Sequence, residues 1–232
     1  MKQLALDIGL ASGPTLDGFY AGPNEAALQH LRLWVGQGSQ AATRSPVPTY
    51  LWGDAASGKS HLLAAVRGAL ADQGCAVGWL DATLEHPPEF DERWSAVLMD
   101  DVHLYSTALQ ATAFNWFVNA VSPASGAQRW VLAAGNVPPA DLPLRDDLRT
   151  RLGWGHVFGL QVLDESARRA VLHQEAQARG VALSDDVVDF MLKRFSRDLG
   201  SLMELLDQLD AYALRAQRAI TIPLLKAMLE SE

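Results

Sequence analysis

Gly53-Asp54-Ala55-Ala56-Ser57-Gly58-Lys59-Ser60 fits the pattern G-x-x-x-x-G-K-[ST] without a gap, and its flanks give the pattern its meaning. Ahead of it, Thr49 to Trp52 reads as a short buried strand. Behind it, Ser60 to Asp72 reads as a helix. A glycine-bounded turn between strand and helix lets backbone N–H groups converge on phosphate oxygens, and the helix N-terminus adds its dipole. In this arrangement Gly53, Ser57 and Gly58 shape the cradle. Lys59 reaches the β- and γ-phosphates, and the Ser60 hydroxyl ligates Mg²⁺. The loop therefore predicts a bound nucleoside di- or triphosphate with magnesium.

Working outward, Ala96-Val97-Leu98-Met99 is apolar and ends abruptly in Asp100-Asp101. A buried strand that ends in an acid puts a carboxylate beside a phosphate loop. Asp100 is the candidate Mg²⁺ ligand, and Asp101 a weaker candidate to orient an attacking water. A third strand, Trp130 to Ala134, runs into Gly135-Asn136. Asn136 is placed to touch a γ-phosphate, although Gly-Asn ahead of Pro138-Pro139 is also ordinary turn chemistry. Ala76 to Leu80 and Gly155 to Leu160 complete the candidate strands. Asn24 to Val35, with Asn24 as a possible cap, and Leu109 to Val121 are further helices. Strand and helix in turn imply an α/β fold: a parallel sheet flanked by helices.

After Leu160 the pattern changes to helices alone: Asp164 to Arg179, Ser184 to Phe195, Asp198 to Arg218 and Thr221 to Glu230. Asp164, Ser184, Asp198 and Thr221 are candidate caps, and Gly180 is a stop. Three regions are expected: an extended arm over 1–18, an α/β nucleotide domain over 19–160, and a small all-helical domain over 161–232.

Composition narrows the function. The 232 residues carry a net charge of −8, with −5 up to Leu160 and −3 beyond it. Neither part is basic, which argues against autonomous, strong binding to a nucleic-acid backbone. The single cysteine, Cys75, excludes an internal disulfide and a cysteine-rich zinc site. No apolar run is long enough to span a bilayer, and Asp7 interrupts the short apolar stretch at the N-terminus. A soluble protein of a reducing, cytoplasmic compartment is expected, with no membrane partner.

The order phosphate loop, Asp100-Asp101, Asn136, an arginine-rich segment and a helical lid resembles the AAA+ ATPases. Leu148-Arg149-Thr150-Arg151-Leu152-Gly153-Trp154-Gly155 is similar to the arginine-finger box of the bacterial initiator DnaA and its relatives. Phe19-Tyr20-Ala21-Gly22-Pro23-Asn24 resembles the segment that lines their base pocket. The resemblance implies an AAA+ P-loop sheet with a helical lid, ADP or ATP as cofactor with Mg²⁺, base contacts from Phe19 and Tyr20, and Arg151 as a finger acting in trans. An initiator would continue into a helix-turn-helix domain, whereas this sequence ends with the lid. Gln3-Leu4-Ala5-Leu6-Asp7-Ile8 is similar to the sliding-clamp-docking peptide of a regulatory branch of that family. There, Leu6 and Ile8 fill an apolar clamp pocket, with Leu4 beside them and Gln3 meeting polar groups at its rim.

The function so implied is regulation of replication initiation. A clamp-bound protein, touching DNA only through the clamp, stimulates hydrolysis of DnaA-bound ATP to the inactive ADP form. A homo-oligomer is compatible with this. The alternative is a stand-alone ATPase serving as a helicase or transposase loader. One departure from the family stands out: Gly200 occupies the position of the lid's nucleotide-sensing arginine, and Arg197 lies three residues away at a different helical angle. Weak self-hydrolysis is therefore expected.

Overall fold

The computed structural model describes residues 13–36, 47–124, 126, 128–195 and 199–230. It divides into two compact units, Met1–Gln161 and Val162–Glu232.

The first unit is built on five parallel strands: β1 (Thr49–Trp52), β2 (Val77–Leu80), β3 (Ala96–Met99), β4 (Trp130–Gly135) and β5 (His156–Gly159), in the order β2-β3-β4-β1-β5. Successive side chains of a strand point to opposite faces, so the apolar runs of a doubly covered sheet must serve two cores. On one face Leu51, Leu98, Leu132 and Ala134 pack with helix α1 (Glu25–Val35) and helix α2 (Lys59–Asp72), through residues such as Leu31, Trp34, Leu62 and Val66. On the other, Tyr50, Val97, Met99, Val131 and Ala133 pack with helix α3 (Thr107–Val121) and helix α4 (Asp146–Leu152), through Trp116, Phe117, Leu148 and Leu152. The parallel sheet with helices on both faces is the architecture expected from the sequence.

Three local expectations are corrected. Residues 13–18, read as part of an extended arm, are docked on the domain. Leu16 is buried in the first core, its carbonyl accepts from Arg32, and Asp17 pairs with Arg32 at 3.1 Å. The Thr15 hydroxyl accepts from the Gly18 amide, and the Thr15 carbonyl lies 3.2 Å from His61 Nε2. Glycines had suggested a loose arm, but a single apolar side chain with two polar anchors was enough to hold it. Second, Asn24 precedes α1 without capping it. Its buried amide instead donates to the Gln161 carbonyl (2.9 Å) and accepts from the Gln161 amide (2.8 Å), clasping the chain beyond β5. Third, the arginine-rich segment, to which the sequence pattern assigned no helix, contains α4. Asp146 and Asp147 in its first turn and Arg149 and Arg151 in its last complement the helix dipole.

The second unit holds α5 (Glu165–Ala178), α6 (Asp185–Arg194), α7 (Leu199–Ala216) and α8 (Ile222–Glu230) around Leu172, Val188, Met191, Leu202, Leu206, Leu209 and Leu225. Asp164 caps α5 by accepting from the Ala167 amide at 2.7 Å. Gly180, at φ +72°, ends it: Val181 N–H reaches back to the Ala176 carbonyl at 2.8 Å, a closure that needs the left-handed region. Ser184 precedes α6 without a side-chain capping bond. Asp198, the expected cap of α7, and neighbouring Arg197 lie outside the described residues. Among the described residues no helix is long and apolar enough to cross a membrane.

Candidate functional site

Strand register brings the sequence motifs to one edge of the sheet. Trp52 pairs with Gly135 and Met99 with Ala133, so Gly53, Asp100 and Asn136 all leave the C-terminal ends of the neighbouring strands β1, β3 and β4. In an open parallel sheet this is the edge at which ligands bind.

The loop Gly53–Gly58 is shaped by close approach. Gly53 lies at φ +154°, and a Cβ there would stand 2.3 Å from the Leu160 carbonyl oxygen. Gly58 lies at φ +93°, and a Cβ there would stand 2.6 Å from the Phe19 ring. Both positions therefore exclude side chains on two counts. Phe19 packs between the loop and His61, whose ring centroid is 5.6 Å away. Tyr20, beside it, is half-buried. Sequence and fold thus bring Phe19 to the loop that the phosphate motif defines.

Lys59 is only 6% exposed. Its ammonium donates to the Gly53 carbonyl (2.8 Å), the Asp54 carbonyl (2.8 Å) and the Ser57 hydroxyl (3.3 Å). Burial pulls its pKa down from the ordinary lysine range, against the opposing pull of Asp101, Asp100 and Asp54. Asp100, also buried, sits at the other end of this electrostatic group. Burial pushes its carboxyl up and Asp101 repels it, while the neighbouring Ser60 hydroxyl and Lys59 favour its charged form. The Asp101 amide donates to Asp100 Oδ1 at 2.9 Å, which orients the carboxylate.

A desolvated acid beside a serine hydroxyl and an ammonium is a donor set that suits Mg²⁺ and phosphate. A site for Mg²⁺ with nucleotide needs only one or two protein oxygens. Among the described residues no group of three or more His, Cys, Asp or Glu side chains could hold a metal by itself. Ser60 and Asp100 would supply the protein's share of the coordination. Asp101 adopts a left-handed backbone at φ +48°, with its carboxylate about half exposed and 4.0 Å from His103 Nδ1. A non-glycine residue held in this region beside a candidate site is a strained placement.

Asn136 is exposed, and the turn that carries it is anchored by a residue that sequence reasoning missed. The buried Tyr50 hydroxyl donates to the Val137 carbonyl at 2.9 Å. Gly135 is required there, because a Cβ would fall 2.2 Å from that hydroxyl. Tyr50 gives no motif signal; only the register places it under this turn.

Arg151 lies on α4. Its guanidinium carbon sits 5.0 Å from the Trp154 ring centroid, 5.1 Å from Phe114 and 6.0 Å from Phe117. Arg145 pairs with Asp147 and Arg149 with Asp146, each at 2.6 Å. Among the described residues Arg151 makes no ion pair, so it is the arginine of this segment whose charge is left uncompensated. Trp154, beside it, is 60% exposed. Gly200 stands exposed in the first turn of α7. The candidate clamp residues Gln3, Leu4, Leu6 and Ile8 lie outside the described residues.

Residues 164–229 match the family model of the Hda lid domain. The fold as a whole is similar to domain III of the Thermotoga maritima replication initiation protein DnaA. That match has a TM-score of 0.70 at 18% identity, covering 99% of this chain and 98% of that one. AMPPCP-bound DnaA from Aquifex aeolicus matches at TM-score 0.62 and 19% identity, over 86% of this chain and 72% of that one. The Thermotoga maritima RuvB Holliday junction branch migration motor matches at 0.63 and 14%, over 94% and 72%.

Proposed function

We propose that this chain, which carries an Hda lid domain behind a DnaA-type AAA+ fold, is a DnaA-related regulator of replication initiation that works on a partner's nucleotide. The observation that carries the proposal is the match of residues 164–229 to the Hda lid domain; the phosphate-loop motif and an Arg151 without an ion pair among the described residues support it. In this reading Gly53, Ser57, Gly58, Lys59 and Ser60 bind the phosphates of ADP or ATP. Phe19 and Tyr20 bound the base, and Asn136 stands at the terminal phosphate. Mg²⁺, held by Ser60 and Asp100, would neutralise phosphate charge.

Arg151 is reserved for the partner. As ATP on DnaA is cleaved, negative charge grows on the transferring phosphoryl group and its leaving oxygen. A guanidinium presented from a neighbouring molecule stabilises that charge more in the transition state than in the ground state. The planar fork of N–H donors suits phosphoryl oxygens, and a lysine ammonium lacks it. The product, DnaA with ADP, is the inactive form. Residues 3–8 would tether the protein to the sliding clamp and so to DNA, consistent with a chain that is acidic in both parts. Gly200 has no guanidinium to offer in the lid, which supports weak self-hydrolysis and ADP as the working ligand.

The test is hydrolysis of DnaA-bound ATP in the presence of DNA-loaded clamp. Stimulation by this protein, lost on replacing both Leu4 and Leu6 by Ala, supports the reading. Undiminished stimulation by that double variant removes the clamp tether. Rapid turnover by this protein alone, with no effect on DnaA, favours a stand-alone loader instead.

A further inference from the structure

Arg151 can act on a neighbour only if its guanidinium is held in a narrow range of orientations, and an arginine side chain is otherwise among the most mobile. The structure places a platform beneath it. Gln110, Phe114 and Phe117 lie at i, i+4 and i+7 along α3, a spacing that puts them on one helix face. Phe114 is shared: its ring lies 5.1 Å from the Arg151 guanidinium carbon and 5.6 Å from that of Arg145. A ring face attracts a cation without using up its N–H donors. Phe114 thus fixes the guanidinium and leaves its hydrogen-bonding edge available.

One turn earlier, Gln110 bridges two backbones. Its amide nitrogen donates to the Tyr105 carbonyl at 2.9 Å, and its amide oxygen accepts from the Arg145 N–H at 3.0 Å. Arg145 is the residue at the N-terminal boundary of α4, which has no side-chain cap of its own. Tyr105 ends the short turn that follows Asp100-Asp101, and its buried hydroxyl is tied to the Leu80 carbonyl at 2.8 Å. A glutamine amide thereby joins the start of the arginine helix to the segment leaving the candidate magnesium strand.

We propose that Gln110 and Phe114 are positioning residues for Arg151: Gln110 pins the start of α4, and Phe114 holds the guanidinium by its face. This deepens the proposed function and rests on the reading of Arg151 as the residue that acts in trans. Neither side chain touches the partner's nucleotide. Their loss therefore lowers the rate at saturation and leaves the amount of protein needed for half-maximal stimulation unchanged.

The experiment compares Phe114→Leu, Phe114→Tyr, Gln110→Leu and Arg151→Ala by two readouts. The first is the maximal stimulation of DnaA-bound ATP hydrolysis with DNA-loaded clamp. The second is the NMR order parameter of the Arg151 Nε–Hε bond in this protein with ADP bound, which needs no partner. Phe114→Leu and Gln110→Leu are expected to lower maximal stimulation about tenfold and to lower the order parameter, while Phe114→Tyr, which keeps the ring, restores both. An unchanged order parameter in both leucine variants overturns the proposal, and so does a loss of stimulation that Phe114→Tyr fails to restore. If Phe114→Leu does not fold, Gln110→Leu, at a half-buried helical position, decides alone by the same two readouts. If Arg151→Ala stimulates as the wild type does, the proposed function fails. The platform is then judged by the order parameter, where a fall in the leucine variants upholds it and constancy overturns it.

Discussion

Lys59 and Arg151 are both cations that the motifs assign to phosphate, yet their surroundings differ in kind. Lys59 is buried and wrapped in oxygen: two carbonyls and a hydroxyl of its own loop accept its protons, and three carboxylates pull on its charge. Arg151 is wrapped in aromatic carbon, with Phe114, Phe117 and Trp154 around it and no carboxylate paired to it among the described residues. Oxygen ligands commit an ammonium to the place where it stands. Ring faces steady a guanidinium but leave its donors free for an anion that arrives from outside. The first arrangement suits a residue serving this chain's own ligand, and the second a residue serving another molecule's.

The largest effect separates the two cations directly. Arg151→Ala is expected to cut stimulation of DnaA-bound ATP hydrolysis by about 10³-fold or more, with affinity for ADP unchanged by isothermal titration. Arg151→Lys should recover little of it. A substantial loss of ADP affinity in Arg151→Ala would break the contrast, because the arginine would then be serving its own site.

Lys59→Ala is the converse. It removes a charge-assisted contact and is expected to weaken ADP binding by roughly 1.5–3 kcal/mol, read by the same titration. Unchanged binding would show that the oxygen-wrapped lysine is structural.

The cradle itself is probed by Gly58→Ala, which forces an alanine into φ +93° and against the Phe19 ring. A destabilisation of about 1–3 kcal/mol is expected in urea unfolding. Adding Phe19→Ala relieves the clash but not the backbone strain, so it should return only part of the loss. Full recovery would mean that the loop tolerates the backbone without cost.

The smallest effect belongs to a titratable side chain outside both arrangements. His30 lies 2.9 Å from the Thr49 hydroxyl and against His156, with ring centroids 4.5 Å apart. Burial, and then His156, hold its pKa below the ordinary histidine value. The unfolded chain therefore takes up the proton first. Stability due to the neutral ring is present above about pH 6.5 and is lost as pH falls through that value toward the folded one. His30→Gln should flatten this part of the stability profile while leaving ADP affinity at pH 7.5 unchanged. An unaltered slope between pH 7 and 5 would reassign it to other groups.

Much of this molecule was legible in its residues. Ala96–Met99 was readable as a strand because four apolar residues met two acids, and residues 53–58 as a turn between a strand and a helix because glycine, lysine and serine stood at fixed spacing. Gly180 was readable as a stop because only the left-handed region closes that helix. These are local rules, in which the cause lies within a few residues of the effect. What tertiary structure alone decided is the set of long-range polar contacts. Tyr50 reaches Val137, 87 positions along the chain, Asn24 clasps Gln161, 137 positions along, and Gln110 meets Arg145, 35 positions along. A buried hydroxyl or amide must find a partner, but nothing in its neighbours along the chain says which one. Strand register and helix packing make that choice. They also left Arg151, among the described residues, as the arginine of its segment without an ion pair, where Arg145 and Arg149 each have one.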